Sequence, residues 1–309
     1  MRTAGWRRVG KAVVITAFAL GVAVSQPQAA PRSPAAAIDR VRVDGGRYRP
    51  LWRQPGIGPS RDTLRRAIVA VDVHPFLLDR YPVTNAGFLA FVRSHPEWRR
   101  SRVSRLFADA SYLHHWRGDL DPGPDAPANS PVVYVSWFAA RAYAAAQGGR
   151  LPTVAEWEFT AAADETRRDA SRDARFLTRV REWYARPAEQ VLPAVGRTFR
   201  NVWGVEDLHG LVWEWTLDFN SALVSGESRA DGSLDRSLFC GAGAAGAADF
   251  ADYAAFMRFA YRASLEARYT TAQLGFRVAY DVAGVGAKPV ASGTGPVPVR
   301  STGTKGELR

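Results

Sequence analysis

Asp207-Leu208-His209-Gly210-Leu211-Val212-Trp213-Glu214-Trp215 decides how this chain is read, together with Gly148-Gly149-Arg150-Leu151-Pro152-Thr153 and Ala155-Glu156-Trp157-Glu158-Phe159 upstream of it. Packing alone explains these words poorly. An ionised carboxylate between two indoles, as Glu214 is, needs a cation or hydrogen-bond donors once water is removed. Thr153 and Glu156 have capping-box spacing, in which hydroxyl and carboxylate each satisfy an orphan backbone amide. A helix is therefore expected to start at that point.

Working outward, Val69 to Tyr81 reads as extended chain, and Thr84 as the cap of a helix carrying Phe88, Phe91 and Val92 on one face. Glu97 to Asn129 is rich in charge, Gly and Pro and reads as a loop-rich insertion, a length that in compact domains often serves function. Pro131 to Val135 reads as a strand, and Ser136 as the cap of a helix that turns Trp137, Ala140 and Ala144 inward. Arg167 to Ala185 reads as a charged amphipathic helix with a solvated face. From Asn201 onward the segments are short, aromatic and broken by glycine, which suits irregular strands and turns better than long helices. No repeat of solenoid period is present.

The ends differ in composition from the middle. Arg2, Arg7, Arg8 and Lys11 precede an uncharged apolar run from Ala12 to Val24, the layout of a secretory signal and short for a bilayer span. Residues 1–25 are read as that signal, an uncleaved anchor being the alternative, and Arg7-Arg8 leaves a twin-arginine route open. Residues 26–37 read as a disordered spacer, 38–282 as the folded domain and 283–309 as a disordered tail rich in Gly, Pro, Ser and Thr. The formal charge of +11 shrinks once the ends are set aside, because residues 1–25 hold four cations and no acid and residues 284–309 four cations and one acid. The remaining surplus of +4, without a basic stripe or a recognisable module, argues against nucleic acid. No stable membrane insertion is expected after signal cleavage. Cys240 is the single cysteine, so no internal disulfide forms.

The quoted words resemble the formylglycine-generating enzyme (sulfatase-modifying factor) family. In that family they run roughly Gly-Gly-Arg-Leu-Pro-Thr-Glu-Ala-Glu-Trp-Glu and Leu-Tyr-Asp-Met-x-Gly-Asn-Val-Trp-Glu-Trp. The likeness continues in Asp79-Arg80-Tyr81-Pro82-Val83-Thr84-Asn85, in Ser130 to Trp137, and in Ala260-Tyr261-Arg262-Ala263-Ser264 followed by Leu274-Gly275-Phe276-Arg277. It implies an α+β fold, the formylglycine-generating-enzyme-like variant of the C-type-lectin-like fold, with much irregular backbone. It also implies copper held by two cysteine thiolates before the terminal Ala-x-Arg. The matching positions fall at or near Ala254 and Phe259, which offer no soft sulfur ligand, so copper is not expected. The resemblance also implies structural calcium, held by the Glu214 side chain and the carbonyls of Asp207, Gly210 and Val212, a hard-oxygen set. Leu211 replaces the family's usual Asn, and the alternative is a Glu214 that accepts hydrogen bonds from backbone or Arg.

Cys240, among glycines, is either a nucleophile of lowered pKa or a small buried apolar group. Arg262, the other catalytic candidate, and Arg277 either grip an anionic ligand through bidentate contacts or anchor the terminal strands. His114-His115 with Asp119 and Asp121 offers imidazole and carboxylate to a metal, although adjacent histidines on extended chain point opposite ways. Surface positions are expected for these, and His209 follows the same logic. Trp203, Trp213 and Trp215 are expected in the core.

These readings converge on an exported, copper-cysteine-free relative of the family acting as an accessory or maturation factor. Residues 218–223, 239–243 and 248–258 look like a branch encoded beside copper nitrite reductase, which implies that periplasmic enzyme as partner and a role in denitrification. An enzyme of other chemistry on the same fold, as in periplasmic siderophore maturation, or a non-catalytic binding module are the alternatives. Whether the chain is catalytic stays open at this point. Export follows from residues 1–25: fractionation with N-terminal sequencing should find the chain outside the cytoplasm, beginning between Gln26 and Pro31. A full-length cytoplasmic product would contradict it.

Overall fold

The structure, a computed structural model, describes residues 39–50, 70–187, 189–219 and 253–282. Strands β1 (Arg40–Val43), β4 (Phe76–Asp79) and β7 (Ala279–Asp281) form an antiparallel sheet with β4 in the middle. Its register pairs Arg40 with Asp79 on one side of β4 and Leu78 with Ala279 on the other. Two smaller ladders accompany it, β2 (Gly46–Tyr48) with β3 (Val71–Val73), antiparallel, and β5 (Trp213–Glu214) with β6 (Leu274–Gly275), parallel. The helices are α1 (Asn85–Ser94), α2 (Trp137–Ala146), α3 (Val154–Ala161), α4 (Ala174–Tyr184) and α5 (Tyr253–Ala263). Helices and short, mostly antiparallel sheets joined by long irregular segments make this a mixed α+β fold. Among the described residues no helix is long and apolar enough to cross a membrane.

Local chemistry places the helix starts as expected. The hydroxyls of Thr84, Ser136 and Thr153 accept from the amides of Gly87, Ala139 and Glu156, and Thr153 with Glu156 completes the reciprocal capping box. α1 and α2 bury Phe88, Phe91 and Tyr143 against Phe276, Trp116 and Trp215 in the main core. A second core packs Val43, Val73, Phe76 and Leu78 of the strands on Trp157 and Ala161 of α3 and on Trp203 and Leu208. The insertion from Glu97 to Asn129 is indeed mostly turns. It is pinned by Asn85, whose side-chain amide donates to Pro127 O at 3.0 Å and whose carbonyl accepts from the Trp116 indole at 3.0 Å.

Three expectations need correction. Pro131 to Val135 is not a strand: Pro131 makes an isolated bridge to Thr84, and Tyr134 then turns left-handed at φ 55°, which ends any ladder. The helix expected from Arg167 starts at Ala174. Asp164 draws the amides of Thr166 and Arg167 and the Arg167 guanidinium into a turn, and Asp173 then caps the helix. Finally, the region after Asn201 does hold a full helix, α5, whose apolar positions lay hidden in a run of alanine and aromatic residues.

The Gly-Gly-Arg-Leu-Pro-Thr word has a physical account. Gly148 follows α2 at φ 73°, the left-handed conformation that ends helices. Gly149 then passes so close to β7 that a Cβ would lie 2.6 Å from the Ala279 carbonyl oxygen. That approach lets Arg150 bridge to Ala279 through paired backbone hydrogen bonds of 2.8 and 2.7 Å. The Arg150 side chain grips Glu156 through two 2.7 Å bonds and reaches Asp281 as well. Gly148→Ala, with open space around the new methyl group, should cost about 1 kcal/mol through its φ alone. Gly149→Ala should cost about 2–3 kcal/mol by forcing two backbones apart. Urea midpoints of the two variants should fall in that order, and the reverse order would show that the close approach does not matter.

Candidate binding site

Two buried ion pairs are built from the end of α3, β5, α5 and the segment after β6. In the first, Arg277 gives its Nε and Nη2 hydrogens to the two Glu214 oxygens at 2.8 and 2.7 Å. Its other donors reach the carbonyls of Asp79, Arg80 and Glu206, so every hydrogen of this guanidinium has an acceptor. Both side chains are wholly shielded from solvent. Glu214 also accepts from the Trp157 indole at 2.7 Å. In the second pair, Glu158 takes the Nε and Nη2 edge of Arg258 and, at 2.5 Å, Nη1 of Arg262. Arg258 and Arg262 lie four residues apart on α5 and so share one helix face. Arg258 Nη1 donates to the Tyr184 hydroxyl at the end of α4.

The electrostatics follow from burial and partners. Burial raises the Glu158 carboxyl, but the two guanidinium groups outweigh it and bring the pKa down to about 2, so the carboxylate is ionised. Its charge is shared between two arginines, whereas Glu214 and Arg277 neutralise each other.

A wall of rings stands over this ionic floor. Trp213 stacks on Tyr184 at 5.0 Å with planes 5° apart, and lies 5.5 Å from Trp183 and 4.6 Å from Tyr261 between ring centroids. On one side is a cavity of about 90 Å³ lined by Trp183, Tyr184, Leu192, Gly210, Trp213 and Gln273. On the other is a recess of about 10 Å³ bounded by Trp157, Trp213, Glu214, Tyr261 and Arg262, room for a single water. Such a polar floor under aromatic walls is the usual anatomy of a small-ligand site.

The expected site residues are partly brought together. Arg262, Glu214 and Val212 border the recess and Gly210 the cavity, and Val212 also packs with Val133 and Leu211. Calcium fits this arrangement poorly. The only side chain in the expected set, Glu214, has both oxygens committed to Arg277 and Trp157, the hydrogen-bonded alternative, and a cation there would have to displace a guanidinium. Asp207, at φ 60°, uses its carboxylate to hold the amides of Gly196, Arg197 and Thr198. Arg277 proves to be an anchor. Trp215 and Trp203 are buried, whereas Trp213 is only partly so and faces the cavities. Ala254 and Phe259, the positions expected to lack copper ligands, pack into two apolar clusters along α5. Cys240 lies outside the described residues.

The histidines resolve differently from each other. His209 is not at the surface: it is buried, its Nε2 donates to the Ala161 carbonyl at 2.9 Å, and its ring meets Phe176, Phe199 and Trp157. His114 is exposed and His115 half-buried, both against Tyr134, while Asp119 serves Ser101 and Asp121 serves Arg117. Among the described residues no three His, Cys, Asp or Glu side chains are grouped to hold a metal ion. Sequence reasoning missed the roles of Glu158, Arg258 and Tyr184. The four-residue interval between Arg258 and Arg262 was the available signal, once α5 is known to be a helix.

Acid should probe this interior. Burial, with a lesser push from Arg258, lowers the His209 pKa to about 3, and burial with His114 and Arg100 lowers His115 to about 4. Both then take up protons only on unfolding between those values and the ordinary 6.5, so stability is lost as pH falls below 6.5. Asp79 acts oppositely: burial, against the pull of Arg277 and Arg40, raises it to about 7, so the folded state gains stability as pH falls from 7 towards 4. Two groups outweigh one, and the fold should weaken between pH 6.5 and 4. In urea titrations Asp79→Asn should steepen that loss and His209→Gln should flatten it, by about 1.4 kcal/mol per pH unit for each group. Unchanged slopes would refute the assignment.

Comparison with known proteins gives this geometry a context. Residues 25–282 match the model of the sulfatase-modifying factor enzyme 1-like domain. The inactive C-alpha-formylglycine-generating enzyme 2 of Bos taurus is 31% identical over 219 residues, covering 58% of this chain and 70% of that protein. The formylglycine-generating enzyme of Streptomyces coelicolor is 31% identical over 257 residues, covering 68% and 79%. Hercynine oxygenase of Mycobacterium tuberculosis is 34% identical over 173 residues, covering 51% of this chain and 40% of that protein. With the family match spanning most of its length, the chain belongs to the family of the sulfatase-modifying factor enzyme 1-like domain, among the formylglycine-generating enzymes and their relatives.

Proposed function

We propose that this protein is an exported, accessory or maturation factor of the formylglycine-generating-enzyme family that binds a ligand or client segment without copper–thiolate oxidation. The observation that carries the reading is on α5, where the positions expected to bear the cysteine pair hold Ala254 and Phe259, both packed in apolar clusters. One thiol in the whole sequence cannot form a two-thiolate copper site. What stands near those positions is a binding apparatus, the aromatic wall of Trp183, Trp213 and Tyr261 over the Glu158–Arg258–Arg262 cluster. That the family includes a protein named as inactive is consistent with this reading.

A periplasmic location and a link to copper nitrite reductase complete the proposal. They rest on the apolar N-terminal run and on the likeness of residues 218–223, 239–243 and 248–258 to a branch encoded beside that enzyme, and most of that stretch lies outside the described residues. The C-type-lectin-like variant of the fold belongs to the same proposal. A second reading, an enzyme of different chemistry, is favoured by the likeness to hercynine oxygenase, although this chain spans only 40% of that protein. Family membership does not choose between them.

The test adds copper and oxygen to the protein with a sulfatase-derived peptide containing cysteine, and reads the peptide mass. Wild type and Cys240→Ser should both return the peptide unoxidised. Stoichiometric conversion to the aldehyde by the wild type would overturn the reading and force a catalytic role onto Cys240.

A further inference from the structure

We infer that the recess beside Trp213 is a carboxylate-binding subsite, in which Arg262 receives the head group of an aromatic or apolar acid whose body lies against the ring wall. The inference rests on the binding-site reading above and adds the class of ligand. Its basis is the way Glu158 is divided between two arginines. Arg258 takes the bidentate position, and Arg262 donates only Nη1, end-on. The Nε and Nη2 hydrogens of Arg262 meet no protein acceptor among the described residues, although the side chain is only 6% exposed. The charge is paired with Glu158, and the donors of that edge are left to solvent or to an incoming acceptor.

The open edge of Arg262 defines what that acceptor is. Nε–H and the adjacent Nη2–H form the parallel fork that a planar carboxylate fills with two hydrogen bonds. The Arg262 guanidinium lies over the Trp157 ring at 4.8 Å from its centroid. The carboxylate bordering the recess, Glu214, is neutralised by Arg277 and does not repel an incoming anion. The recess of about 10 Å³ has room for one water, the place of one carboxylate oxygen. Beyond it, Trp213 and Tyr261 offer ring faces, and Trp183 and Trp213 are shared with the larger cavity of about 90 Å³. That sequence of surfaces, fork then rings, matches an acid with an apolar body.

The same carboxylate could come from a small acid or from the C-terminus of a client chain, and the experiment separates the two. Isothermal titration of the full protein compares phenylacetate with phenylacetamide, and N-acetyl-alanyl-phenylalanine with its C-terminal amide. In the wild type each acid should bind at least about tenfold tighter than its amide, the worth of one charge-assisted contact. The tighter of the two acids then identifies the source. Arg262→Gln should erase the preference, and Arg262→Lys, which keeps a counter-ion for Glu158 but lacks the fork, should reduce it. Trp213→Leu should weaken acid and amide alike. Equal binding of acid and amide, no binding of either, or an acid preference that survives in a folded Arg262 variant would overturn the inference. The acid–amide comparison on the wild type decides even where a variant does not fold. Because these titrations read binding and not oxidation, their failure leaves the non-oxidising reading standing, and peptide conversion would leave the subsite intact.

Discussion

The Glu214–Arg277 pair is the constraint on which the rest of the structure depends. One fully buried guanidinium spends all its hydrogens on β5, on the chain leaving β4 and on the loop at Glu206. Burying two charges is costly, and a pair of this kind survives only where the geometry is bidentate and each remaining donor is satisfied. It therefore ties together segments that share little regular secondary structure. The Trp-Glu-Trp and Gly-Phe-Arg words are the two halves of this one interaction. Around them the backbone amides of Trp213 and Trp215 donate to the carbonyls of Gln273 and Gly275, so the short parallel ladder carries the glutamate of the ion pair.

The second cluster works differently because one edge of Arg262 meets no acceptor among the described residues. Glu158 and Trp157 are neighbours on α3, and the helix turns one towards Arg258 and Arg262 and the other towards Glu214. Trp157 thus touches both ionic centres, as hydrogen-bond donor to one and as a ring surface beneath the other. Structure and binding surface meet in a single side chain.

What could be read from the sequence was whatever depends on near neighbours. Thr84, Ser136 and Thr153 announce helix starts because a cap needs only the next three residues, and each of these caps is present. The pairing of Glu214 with Arg277 spans 63 positions, so the alternatives for Glu214 and Arg277 stood open until the chain was folded. Pro131 to Val135 has the composition of a strand, but Tyr134 adopts a left-handed turn imposed by tertiary contacts, its amide bonding to Thr271 and its carbonyl to Leu113. His209 reads like any loop histidine, and only the packing of Phe176 and Phe199 around it makes it part of the core. Of the site, Arg262 and Glu214 were legible as residues that need partners. Their partners were not, since Glu158 reaches Arg262 only where faces of α3 and α5 meet, and Arg277 reaches Glu214 only where β5 lies beside β6.

The main sheet carries a consequence for how the chain is made. Its central strand, β4, is flanked by the first described strand and the last, so Phe76 must find Asp281 across nearly the whole folded region. A chain growing from its N-terminus can form α1, α2 and α3 early, since their caps and turns are local. It cannot close the sheet, or cover the edge that β4 leaves bare, until β7 has emerged. Such long-range closure slows folding and leaves an unpaired strand edge exposed in the interval. Removal of a few residues before Val282 would therefore leave an open sheet edge in place of a shortened tail.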